Sequence, residues 1–130
     1  MPIVTVTLPE QISDSAKASI SEEIVNLTSR LLNKREQVTV VKFVAGHADF
    51  FNLGKRPKGT FPFDVEIKIT TGTNNESEKV EWIESTWKVM NNYFKTGDSF
   101  PCYISIIEVE GNNWGFNGIT QYNRTLANQK

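Results

Sequence analysis

The feature that most constrains this chain is an order of periodicities that occurs twice. Residues 2–8 alternate Val4, Val6 and Leu8 against Ile3, Thr5 and Thr7, the period of two expected of a strand rich in β-branched side chains. Pro2 stands at its first position, where a strand tolerates proline. Beyond Pro9, Ala16, Ile20, Ile24, Leu27 and Leu31 recur every three or four residues. With Ser13 and Asp14 available as caps, this predicts an amphipathic helix that runs out near Lys34 and Arg35. Val38 to Val44, apolar apart from Thr39 and Lys42, reads as a largely buried strand. The same order then returns. Phe63, Val65, Ile67 and Ile69 alternate with Asp64, Glu66, Lys68 and Thr70; Asn75 and Glu78 form a capping pair; Val80, Ile83, Trp87, Met90 and Phe94 make one helical face; and a strand runs from Cys102 to Val109. Pro2 and Phe63 lie 61 positions apart, as do Ser15 and Glu76.

A strand, a crossover helix and a returning strand favour a right-handed parallel unit. Two such units in 130 residues predict a single α/β domain of the two-layer α+β kind: tandem β-α-β units forming one four-stranded mixed sheet with two helices on one face. The pseudo-repeats span about 2–45 and 62–110, and 111–130 forms a C-terminal hairpin and tail, suggested by the glycines and asparagines between Gly111 and Gly118. Two helices cover one face of such a sheet. Val38 to Val44 with Ile104, Ile106 and Ile107 look too apolar to leave the other face in water, and for so short a chain the economical cover is another copy of itself.

Composition removes several classes of function. Fourteen basic and fifteen acidic residues nearly cancel, so no single-signed field points to a nucleic acid or an anionic membrane. No run approaches the roughly 18 apolar residues of a membrane span. The lone Cys102 excludes an internal disulfide, and the strand-like start lacks the apolar stretch of a signal peptide, which makes the cytoplasm the expected compartment. Glycosylation-type triplets at Asn26, Asn75 and Asn123 therefore carry no weight. His47 is the only histidine, so a histidine metal site is excluded, and no phosphate-binding glycine loop or Ser-His-Asp arrangement stands out. Neither a cofactor nor a metal is expected. His47 reads as a surface residue and Cys102 as a buried, inert thiol.

Pro2 is the candidate for chemistry, although a proline at the second position by itself usually means nothing and takes its value from context. A small second residue permits removal of the initiator methionine, which would leave a secondary amine as the first group. An α-amino group titrates at about 7.7 to 8.0, and modest burial or a nearby cation lowers that towards neutrality, where a general base works best.

An N-terminal proline heading a β-branched strand, two β-α-β units, and the closing Asn113-Trp114-Gly115-Phe116-Asn117-Gly118 together resemble the tautomerase superfamily. The similarity is to its two-unit members, such as macrophage migration inhibitory factor, cis-3-chloroacrylic acid dehalogenase and malonate semialdehyde decarboxylase, and it covers roughly Pro2 to Gly118. The resemblance implies a homotrimer with an active site at each Pro2 near a subunit boundary, acting without a cofactor on a small carbonyl or enol substrate. It implies substrate-binding roles for Lys34, for Tyr103 and Ser105 supplied by the neighbouring subunit, and for Phe116. Other readings stay open: Lys34 as a solvated helix-end cation, Tyr103 as a core or interface aromatic, Phe116 and Trp114 as trimer seals.

The sequence also departs from the pattern. Where the dehalogenase and decarboxylase carry paired arginines after the third strand, this chain has Ile69-Thr70-Thr71-Gly72-Thr73, and Thr28 stands where the dehalogenase has a histidine. The group that holds a substrate carboxylate is thus unassigned, and Lys55, Arg56 and Lys58 lie on a loop that could fold over the site or simply be solvated. The expected activity is cofactor-independent enol-keto tautomerisation with Pro2 as base. The alternatives are dehalogenation, hydration or decarboxylation, and a trimeric binding protein without chemistry.

Overall fold

The structure, a computed structural model, describes residues 2–128. Met1, on whose removal the role of Pro2 depends, and the last two residues of the expected tail lie outside the described residues. The strands and helices alternate as the periodicities predict: β1 (Ile3–Leu8), α1 (Asp14–Leu32), β2 (Val40–Ala45), β3 (Asp64–Thr70), α2 (Glu76–Phe94) and β4 (Tyr103–Val109). The sheet order is β2-β1-β3-β4. β1 is parallel to β2, β3 is parallel to β4, and the two units join through the antiparallel β1–β3 pair. The expected four-stranded mixed sheet is what forms.

Each helix begins and ends on local chemistry. The Ser13 hydroxyl accepts from the Ala16 N–H at 3.1 Å. At α2 the Asn75 side chain accepts from Glu78 N at 2.9 Å while the Glu78 carboxylate accepts from Asn75 N at 2.8 Å, a capping box with asparagine in the place of serine or threonine. Asn33 and Lys95 close the helices in the left-handed conformation.

The core lies between the helices and the sheet. Val4, Val6 and Leu8 of β1 and Val65, Ile67 and Ile69 of β3 are fully buried on that face, together with Ile20, Ile24, Trp82 and Met90 from the helices; each such aliphatic side chain contributes about 1.5–3 kcal/mol of hydrophobic burial. The α2 face differs in phase from the one expected. Trp82, Thr86 and Met90 form its centre, whereas Val80 is 48% exposed. Trp82 reaches the centre because its indole finds a polar partner on α1, which apolar periodicity alone does not reveal.

The open face of the sheet corrects a second expectation. Strand alternation sends Val41, Phe43, Ile104 and Ile106 towards the helices, leaving on the open side the rows Val40–Ile3–Lys68–Ile107, Lys42–Thr5–Glu66–Ser105 and Val44–Thr7–Asp64–Tyr103. That surface is mixed rather than continuously apolar, since Val41 and Phe43 of one run counted as apolar and Ile104 and Ile106 of the other belong to the covered side.

Beyond β4 the chain makes the short hairpin β5 (Gly115–Phe116) and β6 (Ile119–Thr120) and a final helix α3 (Gln121–Asn128). Asn117 and Gly118 turn the hairpin with φ of 52° and 84°, the Asn-Gly signature of a two-residue turn. The hairpin fits the expected turn; α3 was unforeseen, being short and mostly polar. No described helix is long and apolar enough to cross a membrane.

Candidate functional site

Because β3 runs antiparallel to β1, the carboxyl ends of β3 and β4 lie beside the amino end of β1. The segment leaving β4 therefore arrives where Pro2 begins. It is tied there by Trp114, whose indole N–H donates to the Thr70 hydroxyl at 3.1 Å, and by the N–H groups of Gln121 and Tyr122, which donate to the carbonyls of Trp114 and Gly111 at 2.9 and 2.8 Å. Thr70, at the carboxyl end of β3, thus orients an aromatic of the cavity wall.

These constraints shape a cavity of about 350 Å³ at the head of β1. Pro2, itself buried, forms its floor with Ile3, and Val38 and Val40 flank it. Trp114 and Phe116 are its aromatic lining residues, and Gln37 and Asn117 its polar ones. Gly115 admits no side chain, because a Cβ there would stand 2.1 Å from the Ile119 carbonyl oxygen across the hairpin. The result is an apolar, concave site with a few polar groups, the usual form of a small-molecule pocket.

The expected site residues are distributed as follows. Pro2 and Phe116 line this cavity together. Lys34 sits on the loop after α1, outside the lining, and its ammonium donates to the Thr73 hydroxyl at 2.8 Å. Burial holds the Lys34 ammonium below the usual lysine range, while Glu78 and Glu108 pull it the other way. Glu108 is bound by Lys79, and this hydrogen bond is the main reason its carboxyl lies below the usual range. Tyr103 and Ser105 lie exposed on the open face of β4; Tyr103, 72% exposed, is at the opposite end of the sheet from Pro2, so one chain by itself does not bring it to the cavity. Gln37, Val38, Val40 and Asn117 were not singled out from the sequence. The Asn-Gly turn was the available signal for Asn117, whereas Gln37 lies in a 3₁₀ turn between helix and strand and carries no pattern.

The other residues considered fall outside the site. Arg56 donates to Glu10 and to the Thr60 carbonyl at 2.8 and 2.9 Å, which holds the 46–63 loop at the Leu8 end of β1, roughly 20 Å along the strand from Pro2. Thr28 is a core residue. His47 is exposed. Cys102 is half-buried; burial pushes its thiol up, although the Phe63 N–H donates to its sulfur at 3.4 Å.

No protein-family model and no curated protein matches this sequence. Solved structures do match. The macrophage migration inhibitory factor-like protein of Entamoeba histolytica superposes with a TM-score of 0.74 at 21% identity, covering 92% of this chain and 97% of its own. Pt0534, solved after inactivation by 2-oxo-3-pentynoate, gives 0.75 at 17% identity over 94% and 98%. A fused 4-OT solved as an asymmetric trimer gives 0.78 at 17% over 96% and 98%. At these identities the likeness establishes the fold, which is that of the tautomerase superfamily.

Proposed function

We propose that this chain, sharing the tautomerase fold, is a cofactor-independent tautomerase in which the Pro2 amine moves a proton between carbon and oxygen of a small carbonyl compound. The observation that carries the reading is that a buried proline heads β1 and lines an apolar cavity walled by Trp114 and Phe116. In the enolising direction the Pro2 nitrogen takes a proton from the carbon beside the carbonyl, and it returns that proton when the ketone is regenerated. A positioned base contributes about 10² to 10⁴-fold. The enolate oxygen needs a donor as charge develops; Gln37 and Asn117 are among the residues that line the cavity, and Lys34 lies on the adjoining loop.

The reading requires a free secondary amine, since an acylated Pro2 nitrogen has no usable basicity. It also places the working unit in a homotrimer, in which Tyr103 and Ser105 of a neighbouring copy complete the cavity. The trimer solved for the fused 4-OT supports that arrangement by fold alone.

The test starts with intact mass, which should show Met1 removed. Processed protein should ketonise phenylenolpyruvate, and Pro2→Ala should lower kcat/KM by about 10²-fold or more, the range of a lost general base. The electrophile 2-oxo-3-pentynoate should add once per chain to the wild type and not to an N-acetylated control. Wild-type kcat/KM in the Pro2→Ala protein would remove proline from the base role.

A further inference from the structure

The row Val44–Thr7–Asp64–Tyr103 ends the open face of the sheet at the side farthest from Pro2. The loop after β2 returns to this row, and the two together line a cavity of about 430 Å³. Thr7, Asp64 and Tyr103 line it from the sheet, Asp49, Phe50 and Phe51 from the loop. Phe100, from the segment entering β4, and the core residue Phe63 complete its aromatic lining. The loop is held in place: Asn52 and Lys55 exchange backbone hydrogen bonds at 2.8 and 3.2 Å, Arg56 is paired with Glu10, and the Phe50 and Phe100 rings meet edge to face at 6.3 Å.

The charge of this cavity is of one sign. Among the described residues no lysine, arginine or histidine lines it, and neither Asp49 nor Asp64 belongs to an ion pair. Asp64 is half-buried. Its burial, and after that the neighbouring Glu66, push its carboxyl above the usual carboxylate range, as expected of a carboxylate that has lost water and gained no cation. The aromatic faces add to the same field, because a ring presents negative charge above its plane. Phe51, 68% exposed, stands ready to cover an occupant. A hydrated metal ion does not suit such walls: it takes about six or more oxygen ligands, and the described residues hold no group of three or more acidic, histidine or cysteine side chains fit for a metal. An organic ammonium ion suits them, since it offers an apolar body to the rings and a charge to the carboxylate.

We propose that this cavity is a second small-molecule site, which takes an organic ammonium ion with its apolar body among Phe50, Phe51 and Phe100 and its charge at Asp64. The site does not depend on the chemistry of Pro2. None of its lining residues lines the Pro2 cavity of the same chain, and the two lie roughly 20 Å apart along β1. Tyr103 alone is also assigned to a neighbour's Pro2 cavity in the trimer proposed above, so the test leaves it in place. The ligand is opposite in character to a carbonyl substrate: the same carboxylates that hold a cation repel an anion.

The experiment titrates the whole chain by NMR with two probes of the same body and different charge, 2-phenylethylammonium and 2-phenylethanol. Wild type should favour the ammonium by about 10-fold, with the shifts centred on Asp49, Phe50 and Phe100. Asp64→Asn keeps the shape of the carboxylate without its charge and should reduce that preference several-fold. Phe51→Ala should weaken the ammonium more than the alcohol, as expected for losing a ring beside a cation. Phe51 is exposed and lies outside the buried core, so this variant reports on the site even if Asp64→Asn disturbs the sheet. Equal affinity for the two probes in the wild type, a preference that survives both substitutions, shifts confined to Trp114 and Phe116, or no binding of either probe would overturn the proposal. A protein that binds the ammonium at Asp64 yet ketonises nothing would sink the Pro2 reading and leave this site standing.

Discussion

Trp82 and Thr28 meet between the two helices, the indole N–H donating to the threonine hydroxyl at 3.1 Å while that hydroxyl donates to the Ile24 carbonyl at 2.7 Å. Both residues are fully buried. Thr28→Val leaves the indole donor unpaired and should cost about 1–3 kcal/mol. Thr86, equally buried on α2, has a hydroxyl without a partner, so Thr86→Val should be neutral or stabilising by up to about 1 kcal/mol. Urea unfolding of the two variants should give opposite or clearly unequal shifts. Equal losses would mean that the Thr86 hydroxyl is satisfied after all.

Lys34 gives a pH dependence of stability with a definite sign. Its folded pKa is depressed, chiefly by burial, from the ordinary 10.5. Between the two values the unfolded chain binds more protons, so stability should rise with pH across that window. The penalty is fully present below the folded pKa and gone above the ordinary one. Lys34→Met removes the titrating group, and its stability relative to wild type should be greatest near neutrality and shrink as pH approaches 10.5. A difference independent of pH between 7 and 10.5 would contradict this.

For assembly, the expected species is a closed trimer of about 44 kDa, three times the 14.7 kDa chain. The mixed open face offers Ile3, Val40, Ile107 and Tyr103 as apolar contacts for it, and the proposed reading takes Tyr103 from a neighbouring copy. Light scattering should find the trimer at micromolar concentration. A stable monomer would remove both the assembly and the proposed contribution of Tyr103.

Dehalogenation of 3-chloroacrylates should be absent or at least about 100-fold slower than ketonisation, a gap of about 2.7 kcal/mol in transition-state stabilisation. Hydration needs a group to activate water. Among the described residues, no aspartate, glutamate or histidine lines the Pro2 cavity. Chloride release as fast as ketonisation, from the same processed sample, would replace the tautomerase reading with the dehalogenase one.

The strands and helices were legible in the chain because their signals are local. Val4, Val6 and Leu8 declare a face by alternating, Asn75 and Glu78 declare a helix start by reaching each other across three residues, and Asn117-Gly118 declares a turn through its backbone preferences. Even the placement of Pro2 beside Phe116 was open to reading, through a resemblance carried by those two ends of the sequence. What only the tertiary structure decided depends on partners far apart in sequence. Trp82 takes the centre of α2 because Thr28 accepts its proton from 54 positions away, a pairing that hydrophobic periodicity counts against. The polarity of the open face depends on which half of each strand the helices cover. Gln37 carries no local pattern and comes to the Pro2 end because β2 starts beside the amino end of β1 in parallel register, while antiparallel β1 and β3 deliver the last segment of the chain there. Periodicity along a chain reports the face a residue shares with its neighbours; only long-range packing determines which distant side chain it meets.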